Sequence, residues 1–340
     1  MKLLQAIAGA RYGGAEAFFT RLAVALHHAG QEQRVIMRRH PDRANALRRG
    51  GVEPMELAFG GLFDVATRWR LAAEVRDYSP DVVLTWMNRA TSKMPSGPFV
   101  HAARLGGYYD LKYYRRCDYL IGNTPGIVEY LINSGWPSER TRYIPNFVNT
   151  AKGVPINRAA LETPDDARVI LAMGRLHNNK AFDVLIQALS AVSDAVLWLA
   201  GDGPLATDLR TLAEEMGVSA RVRFLGWRDD AADLIASADV LACPSRLEPL
   251  GNVVIEAWSQ AKPVVASSSL GPAHLIDDGE TGLLVPIDDV KQFAAALVRV
   301  LDERDLAGRL GRAGQACYET NFTEQKVVDQ YLDFFAWIMA

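Results

Sequence analysis

Short apolar runs alternate with amphipathic stretches along the whole length of the chain. The runs are rich in Val, Ile and Leu, as buried parallel strands are, and the stretches between them carry apolar residues at helical spacing. This alternation predicts an α/β fold whose parallel sheets are covered by helices on both faces. The predicted strands are residues 2–8, 34–38, 82–86, 99–103 and 119–122, then 169–173, 196–200, 222–225, 240–243, 264–267 and 283–285. The predicted helices include residues 15–29, 64–78 and 125–134, then 181–192, 205–216, 251–260 and 290–301.

The alternation occurs in two series, separated by a polar, turn-rich segment at residues 150–166. A chain of 340 residues is long enough for two domains. We therefore predict two doubly wound domains, the first formed by residues 1–150 and the second starting at residue 151. Because ligands of such sheets bind beyond the carboxyl ends of the strands, a site in the cleft between the domains is expected.

Charge is divided unevenly between the two halves. Residues 1–150 carry 20 Lys and Arg against 13 Asp and Glu, whereas the remaining residues carry 17 against 27. The basic first half predicts an anionic partner, such as a phosphorylated substrate or a lipid surface, although two differently charged solvated surfaces explain the difference equally well. No apolar run approaches the roughly 20 residues of a membrane-spanning helix. The three scattered cysteines indicate a reducing cytoplasm.

The sequence patterns of several kinds of catalytic or binding site are absent from this chain. No Asp-x-Asp pair is present for a metal–diphosphate clamp, and no His-x-x-x-His or Cys-x-x-Cys pair is present for zinc. No Gly-x-Ser-x-Gly elbow is present for a hydrolase nucleophile. The pI of about 6.1 and the lack of a recognisable motif argue against nucleic-acid binding.

A glycine-rich loop at residues 9–16 follows the first predicted strand and opens the first helix. Gly13 and Gly14 would let the backbone approach a ligand closely, and a helix N-terminus favours an anion. The loop matches neither the dinucleotide fingerprint nor the phosphate-binding loop with its Lys and Ser/Thr. A simple tight turn is the alternative.

Two cations follow the first strand of the second half. Arg175 offers a planar fork and Lys180 a point charge, and both suit a diphosphate at the carboxyl end of a strand. Two solvated loop cations are the alternative.

A pair of glutamates lies between residues 244 and 256. Glu248 is placed in a loop, and a helix begins near Gly251, so free N–H groups at Gly251, Asn252 and Val253 would form an anion site. Glu256 would lie about 6 Å along the helix axis from Asn252. Carboxylates accept hydrogen bonds from vicinal hydroxyl groups, so one glutamate suits a sugar and the other a ribose. A loop charge and a surface helix residue are the alternative.

The sequence Gly-Asp-Gly-Pro-Leu-Ala at residues 201–206 formally fits the dinucleotide fingerprint. The first acidic residues after the next strand, Asp229 and Asp230, come slightly late for a ribose-binding carboxylate. A nicotinamide-dependent dehydrogenase is therefore a minor alternative.

Taken together, these motifs resemble the retaining glycosyltransferases of family 4 (glycosyltransferase group 1), which have the GT-B fold. The E-x7-E motif of the family corresponds to Glu248 and Glu256, and residues 174–183 resemble its diphosphate motif. Ile-Pro-Asn at residues 144–146 resembles its interdomain motif, and Gly-Asp-Gly-Pro at residues 201–204 is also typical.

The resemblance implies that a hexose-type sugar is transferred from a nucleotide sugar with retention of configuration and no required metal. Arg175 and Lys180 would stabilise the leaving diphosphate, with Gly13 and Gly14 closing over it. Glu248 would hold the donor sugar. Nucleotide binding is assigned to four further residues, Leu250, Gly251, Asn252 and Glu256. UDP-sugar is favoured over GDP-sugar, and residues 223–227 are expected near the base.

One position departs from the family. Where the family often has a His near the reacting sugar, this chain has Arg104, and His101 would point elsewhere in a regular strand. Arg104 is therefore a candidate catalytic residue that would hold the donor or an acceptor phosphate.

The last helix of this fold crosses back to the first domain. We therefore expect residues 322–340 to pack on that domain and residues 151–321 to form the nucleotide-sugar-binding domain, with membrane-surface binding of the tail as the alternative. The expected acceptor is a glycan or lipid-linked glycan of a bacterial-type surface polysaccharide or lipopolysaccharide, met in the cytoplasm or at the inner face of the plasma membrane. A nucleotide-sugar epimerase or hydrolase, and a binding protein without catalysis, are the alternatives.

Overall fold

The computed structural model describes residues 1–10, 13–61, 64–148 and 151–340. The chain divides into two compact units, of which the first comprises Met1–Phe147 with Glu324–Ala340 and the second comprises Val148–Thr323. Each unit is a parallel β-sheet with helices on both faces. This confirms the predicted α/β class with two doubly wound sheets. No helix of the described residues is long and apolar enough to cross a membrane.

Within the described residues, the first unit has a seven-stranded sheet in the order β3-β2-β1-β4-β5-β6-β7. All of its strand pairs are parallel, and the chain order reverses between β1 and β4. The strands are β1 (Leu3–Ile7), β2 (Gln33–Arg38), β3 (Pro54–Leu57), β4 (Val82–Trp86), β5 (Val100–Leu105), β6 (Tyr119–Gly122) and β7 (Thr141–Tyr143). The helices are α1 (Gly14–His28), α2 (Pro41–Arg49), α3 (Val65–Tyr78), α4 (Met87–Lys93), α5 (Pro125–Asn133) and, from the end of the chain, α13 (Glu324–Met339).

Different helices cover the two faces of this sheet. On one face, α1 and α13 bury aromatic side chains, among them Phe18, Phe19 and Phe335, against Trp86 of β4. On the other face, α3 buries Leu71 and neighbouring residues. Residues 324–340 thus supply a large part of the core of the first unit, whereas Phe322, at the start of the predicted tail, is buried in the core of the second unit.

The second unit has a six-stranded parallel sheet in the order β10-β9-β8-β11-β12-β13, counted over the same described residues. Its chain order reverses between β8 and β11. The strands are β8 (Arg168–Met173), β9 (Ala195–Ala200), β10 (Val222–Gly226), β11 (Val240–Cys243), β12 (Val264–Ser267) and β13 (Leu283–Val285). The helices are α6 (Phe182–Leu189), α7 (Ala206–Glu215), α8 (Ala231–Ser237), α9 (Asn252–Ser259), α10 (Leu270–Leu275), α11 (Val290–Asp302) and α12 (Arg304–Asn321).

Two strands of the first sheet were absent from the prediction, β3 and β7, and both lie at an edge. An edge strand has a neighbour on one side only, and its side chains are partly exposed, so it needs no continuous apolar run. The sequences Pro-Met-Glu-Leu and Thr-Arg-Tyr have none.

Candidate active site

Two loops meet at the carboxyl edge of the second sheet. Strands β8 and β11 are neighbours, and the reversal of chain order between them creates the kind of crevice in which doubly wound sheets bind ligands. The loop after β8 carries Arg175 and Lys180, and the loop after β11 carries Glu248. The N–H of Leu247 donates to the carbonyl oxygen of Asn179 at 3.1 Å, which joins the two loops directly.

An ion pair between the Lys180 ammonium group and the Glu248 carboxylate also connects the loops. The two side chains are 23% and 13% exposed, so the pair is largely but not fully withdrawn from water. Burial lowers the pKa of Lys180, but the charge of Glu248, the charges of Cys243 and Glu256, and the hydrogen bond to Glu248 together raise that pKa above its ordinary value. Lys180 is therefore a fixed positive charge at the edge of the sheet.

Glu248 is fixed by three contacts. One carboxylate oxygen accepts from Lys180, and the other accepts from the N–H of Gly251 at 3.3 Å. Its backbone carbonyl accepts from the N–H of Gly271 at 2.7 Å. The N–H of Gly251 is therefore not free in this structure, and the anion site at Gly251, Asn252 and Val253 stays a prediction.

Helix α9 begins at Asn252, one residue later than predicted. The preceding residue, Gly251, has a left-handed φ of 83° and therefore lies outside the helix. Leu250 is buried beside it. Glu256 lies on α9, one turn beyond Asn252, and is half-buried. Its charge contributes to the raised pKa of Lys180, so Glu256 lies within electrostatic range of Lys180.

Arg175 is exposed and follows Gly174. The backbone of this loop packs on the loop after β9: the N–H of Leu176 donates to the carbonyl oxygen of Asp202 at 3.0 Å. A Cβ atom on Gly201 would lie 1.8 Å from the carbonyl oxygen of Gly174. Close backbone packing thus accounts for the glycine that suggested a dinucleotide fingerprint.

Arg246 is a residue of this region to which the sequence analysis gave no role. Its guanidinium group makes two hydrogen bonds to Asp183, at 2.9 and 2.6 Å, one to the carbonyl oxygen of Asn178, and an ion pair with Asp288 at 2.6 Å. It therefore ties the Glu248 loop to the segment that carries Lys180. No local sequence pattern indicated this contact, because Arg246 and Asp183 are 63 positions apart in the chain.

In the first unit, the loop after β1 wraps a buried carboxylate. Glu16 is 4% exposed, and it accepts from the N–H of Ala10 at 2.6 Å. A Cβ atom on Gly9 or on Gly13 would lie 2.3 Å from a Glu16 carboxylate oxygen, so a larger residue at either position would displace the Glu16 side chain. Helix α1 begins at Gly14, whereas positions 11 and 12 of the predicted loop lie outside the described residues.

Arg104 is enclosed in the first unit with 1% exposure. Its Nε donates to the Tyr331 hydroxyl at 3.1 Å, its Nη2 donates to Asn146, and its guanidinium lies 4.6 and 4.7 Å from the rings of Phe18 and Trp86. Burial lowers its pKa, which the interaction with the Tyr331 hydroxyl partly offsets. These contacts favour a structural role, and the catalytic role of Arg104 stays a prediction.

His101 points away from Arg104, as expected for a regular strand. It is buried, and its Nε2 lies 2.9 Å from the Thr85 hydroxyl oxygen. Burial lowers its pKa to about 4.

Comparison with known proteins identifies the family. A family model described as Glycosyltransferase Family 4 matches residues 12–152, and one described as Glycosyl transferases group 1 matches residues 167–303. The chain is 40% identical over 332 residues to the lipopolysaccharide core biosynthesis glycosyltransferase LpsE of Rhizobium meliloti, which covers 95% of this chain and 96% of the relative. It is 36% identical over 331 residues to LpsD of the same organism, with 95% of each chain covered.

The fold also has counterparts among solved structures. One is the Anabaena protein HepE in complex with UDP-glucose, which has a TM-score of 0.85 at 19% identity and covers 99% of each chain. Two parallel α/β units of this kind, matched over nearly their whole length, constitute the GT-B fold. From the sequence relatives and the fold together, the chain belongs to glycosyltransferase family 4, the glycosyl transferases of group 1.

Proposed function

We propose that this glycosyltransferase moves a hexose-type sugar from a UDP-sugar to a glycan or lipid-linked acceptor of lipopolysaccharide, with retention of configuration and without a metal. The observation that carries the proposal is the cluster of Lys180, Glu248 and Glu256 at the switch point of the second sheet. The names of LpsE and LpsD support the lipopolysaccharide acceptor, and the UDP-glucose complex of HepE supports the donor.

The diphosphate of the donor is expected to bind Arg175 and Lys180. Arg175 is exposed and Lys180 is fully charged, so one provides a forked donor and the other a point charge. Both would stabilise the negative charge that grows on the leaving diphosphate.

We propose that donor binding exchanges partners at the ion pair of Lys180 and Glu248. When the diphosphate replaces Glu248 as the partner of Lys180, the Glu248 carboxylate becomes available for hydroxyl groups of the donor sugar. Glu256, one helical turn from Asn252, would bind the ribose hydroxyls, with Leu250 and Gly251 adjoining the nucleotide. Donor binding thus separates an ion pair whose two members then take different parts of the same ligand.

The chemical step breaks the bond between C1 of the sugar and the diphosphate oxygen and forms a bond between C1 and the acceptor oxygen on the same face. The acceptor hydroxyl gives its proton to the departing diphosphate, so the products are the glycosylated acceptor and UDP. The positive charge that develops on the sugar in this oxocarbenium-like path is balanced by the diphosphate, which Arg175 and Lys180 hold.

The first unit is proposed to take the acceptor, with Gly13 and Gly14 approaching the phosphates, whereas a catalytic role for Arg104 would require its buried guanidinium group to become accessible. Its basic charge supports a phosphate-bearing acceptor or contact with the inner face of the plasma membrane. We propose no nucleic-acid partner.

The proposal is tested by thermal unfolding with UDP, GDP and their sugars, with and without a chelator. A ligand that binds only the folded state raises its stability by mass action. We expect stabilisation by UDP and UDP-sugars that the chelator leaves unchanged. Stabilisation by GDP-sugars alone would reverse the donor assignment, and loss with the chelator would refute metal independence. NMR of the anomeric product would decide retention, and release of free sugar without any acceptor would identify a hydrolase.

A further inference from the structure

A groove of about 800 Å³ lies in the first unit, on the face of the sheet covered by α3 and α4. This volume is in the range of small-molecule sites. It is lined along α3, from Arg68 to Arg76, by the end of α4 with the residues after it, and by Arg116. None of its lining residues belongs to the loop after β1, and Arg116 alone belongs to the segment between β5 and β6, so the groove does not include Gly13, Gly14 or Arg104.

The lining of the groove is basic. It contains Arg68, Arg76, Lys93 and Arg116, and no Asp or Glu. Within the described residues, Arg68 makes no hydrogen bond or ion pair, and its side chain is exposed.

The other three cations keep hydrogen-bond donors or charge that a ligand can use. Arg76 contacts only the neighbouring Asp77, at 3.1 Å, and Arg116 donates one hydrogen bond, to the carbonyl oxygen of Ser92. A guanidinium group has five donors, so both retain several for a ligand. Lys93 is held near Asp64 and contributes mainly its charge.

An aromatic ring stands beside these cations. Trp69 lies next to Arg68 on α3 and is 75% exposed, although the buried side of the same helix contains Leu71 and Val75. A large exposed indole beside guanidinium groups offers two kinds of contact at once: a flat apolar surface for the C–H face of a sugar ring, and forked donors for phosphate oxygens.

We propose that this groove binds a phosphorylated saccharide, with the ring on Trp69 and the phosphate held by Arg68 and Arg116. The concave shape favours a discrete ligand over a flat membrane surface, and the absence of lining acids favours an anion. Because the reaction proposed above extends a glycan, the ligand is assigned as a phosphate-bearing part of the acceptor away from the reacting hydroxyl, an assignment that rests on the proposed function.

Ligand-detected NMR on the full chain tests the groove without any donor. The probes are glucose 6-phosphate, glucose and inorganic phosphate, and vesicles of anionic or zwitterionic phospholipid in a sedimentation assay. Glucose 6-phosphate should bind more tightly than glucose or phosphate. Arg68→Glu and Trp69→Ala should each weaken it by roughly tenfold or more, since a charged hydrogen bond or the stacking surface is lost. Arg70→Glu, on an exposed residue of the same helix outside the groove, is the matched control and should have little effect.

Three results would overturn the proposal: no binding of glucose 6-phosphate, equal binding of inorganic phosphate with no effect of Trp69→Ala, or equal losses in the control variant. Binding to anionic vesicles that Arg68→Glu abolishes, without binding of the sugar phosphate, would assign the groove to lipid instead. Stabilisation by UDP-sugars does not depend on the groove, so its outcome separates a failure of this proposal from a failure of the proposed function.

Discussion

Replacing Lys180 by Met removes the ammonium group of the pair with Glu248 and keeps most of the side-chain volume. Fully exposed ion pairs contribute about 0–1 kcal/mol, whereas breaking a buried pair costs about 3–5 kcal/mol. At 23% and 13% side-chain exposure, this pair lies between those limits. We therefore expect Lys180→Met to lower the free energy of unfolding by about 2 kcal/mol, because the Glu248 carboxylate keeps only the N–H of Gly251 as a partner.

A double-mutant cycle isolates the interaction itself. Urea unfolding of Lys180→Met, Glu248→Gln and the double variant should give a coupling energy of about 1–2 kcal/mol. The exposed pair of Arg48 and Glu53, treated with the same two kinds of substitution, is the control and should give about 0.5 kcal/mol or less. A Lys180–Glu248 coupling no larger than that of the control pair would refute the reasoning.

The same variants test the proposed exchange of partners. UDP should stabilise Lys180→Met far less than the wild type, and kcat/KM should fall by about 10²–10³, as when a charge-stabilising donor is removed. Because the pKa of Lys180 is raised in the folded state, the contribution of its charge to stability is fully present below the ordinary value of 10.5 and is lost as pH rises through the raised value. Unchanged UDP affinity in Lys180→Met would rule out its contact with the diphosphate.

Three further predictions concern single residues. Burial lowers the pKa of His101 to about 4, so His101 binds a proton more readily in the unfolded chain. Its contribution to the free energy of unfolding should therefore fall by about 3 kcal/mol between pH 7 and pH 4. Urea titrations at the two pH values should show this drop reduced in His101→Gln and retained in the control His28→Gln. Gly201→Ala should cost roughly 2–4 kcal/mol, since its Cβ would meet a carbonyl oxygen at 1.8 Å; Gly217→Ala, with open space around it, should lower the melting temperature much less. Arg246→Met should raise the KM for the donor severalfold and cost about 1 kcal/mol of stability, and an unchanged KM would show that it does not position the Glu248 loop.

Strands that form short apolar runs were predictable from the sequence, whether they lie inside a sheet or, like β13, at its edge. The bounds of β4, β6, β11, β12 and β13 agree with the prediction at both ends, because each is a short apolar run flanked by turn residues. Helices with few apolar residues were not predicted. Helix α2, with the sequence Pro-Asp-Arg-Ala-Asn-Ala-Leu-Arg-Arg, has few apolar residues to mark a periodicity, and it buries mainly Ala44 and Leu47.

Within the candidate site, sequence predicted the loops but not the pairing inside them. Parallel strands joined through helices separate Lys180 and Glu248 by 68 positions, and their contact depends on β8 and β11 being neighbours in the sheet. The burial of Arg104 was equally out of reach, since its partner Tyr331 comes from the last helix, 227 positions along the chain. Local patterns place a residue at a strand end; strand order and helix docking decide what it touches.

The glycines of the site show why a motif match reports on fold as well as on chemistry. Gly201 is required by its approach to Gly174, and Gly271 by its approach to Glu248, whose carbonyl oxygen would lie 2.7 Å from an added Cβ. Neither glycine needs to touch a ligand for these constraints to hold. They fix the backbone from which Lys180 and Glu248 extend, so a protein could keep both glycines for the loop geometry alone. The case for catalysis therefore depends on the charged side chains, and substitutions there separate function from fold.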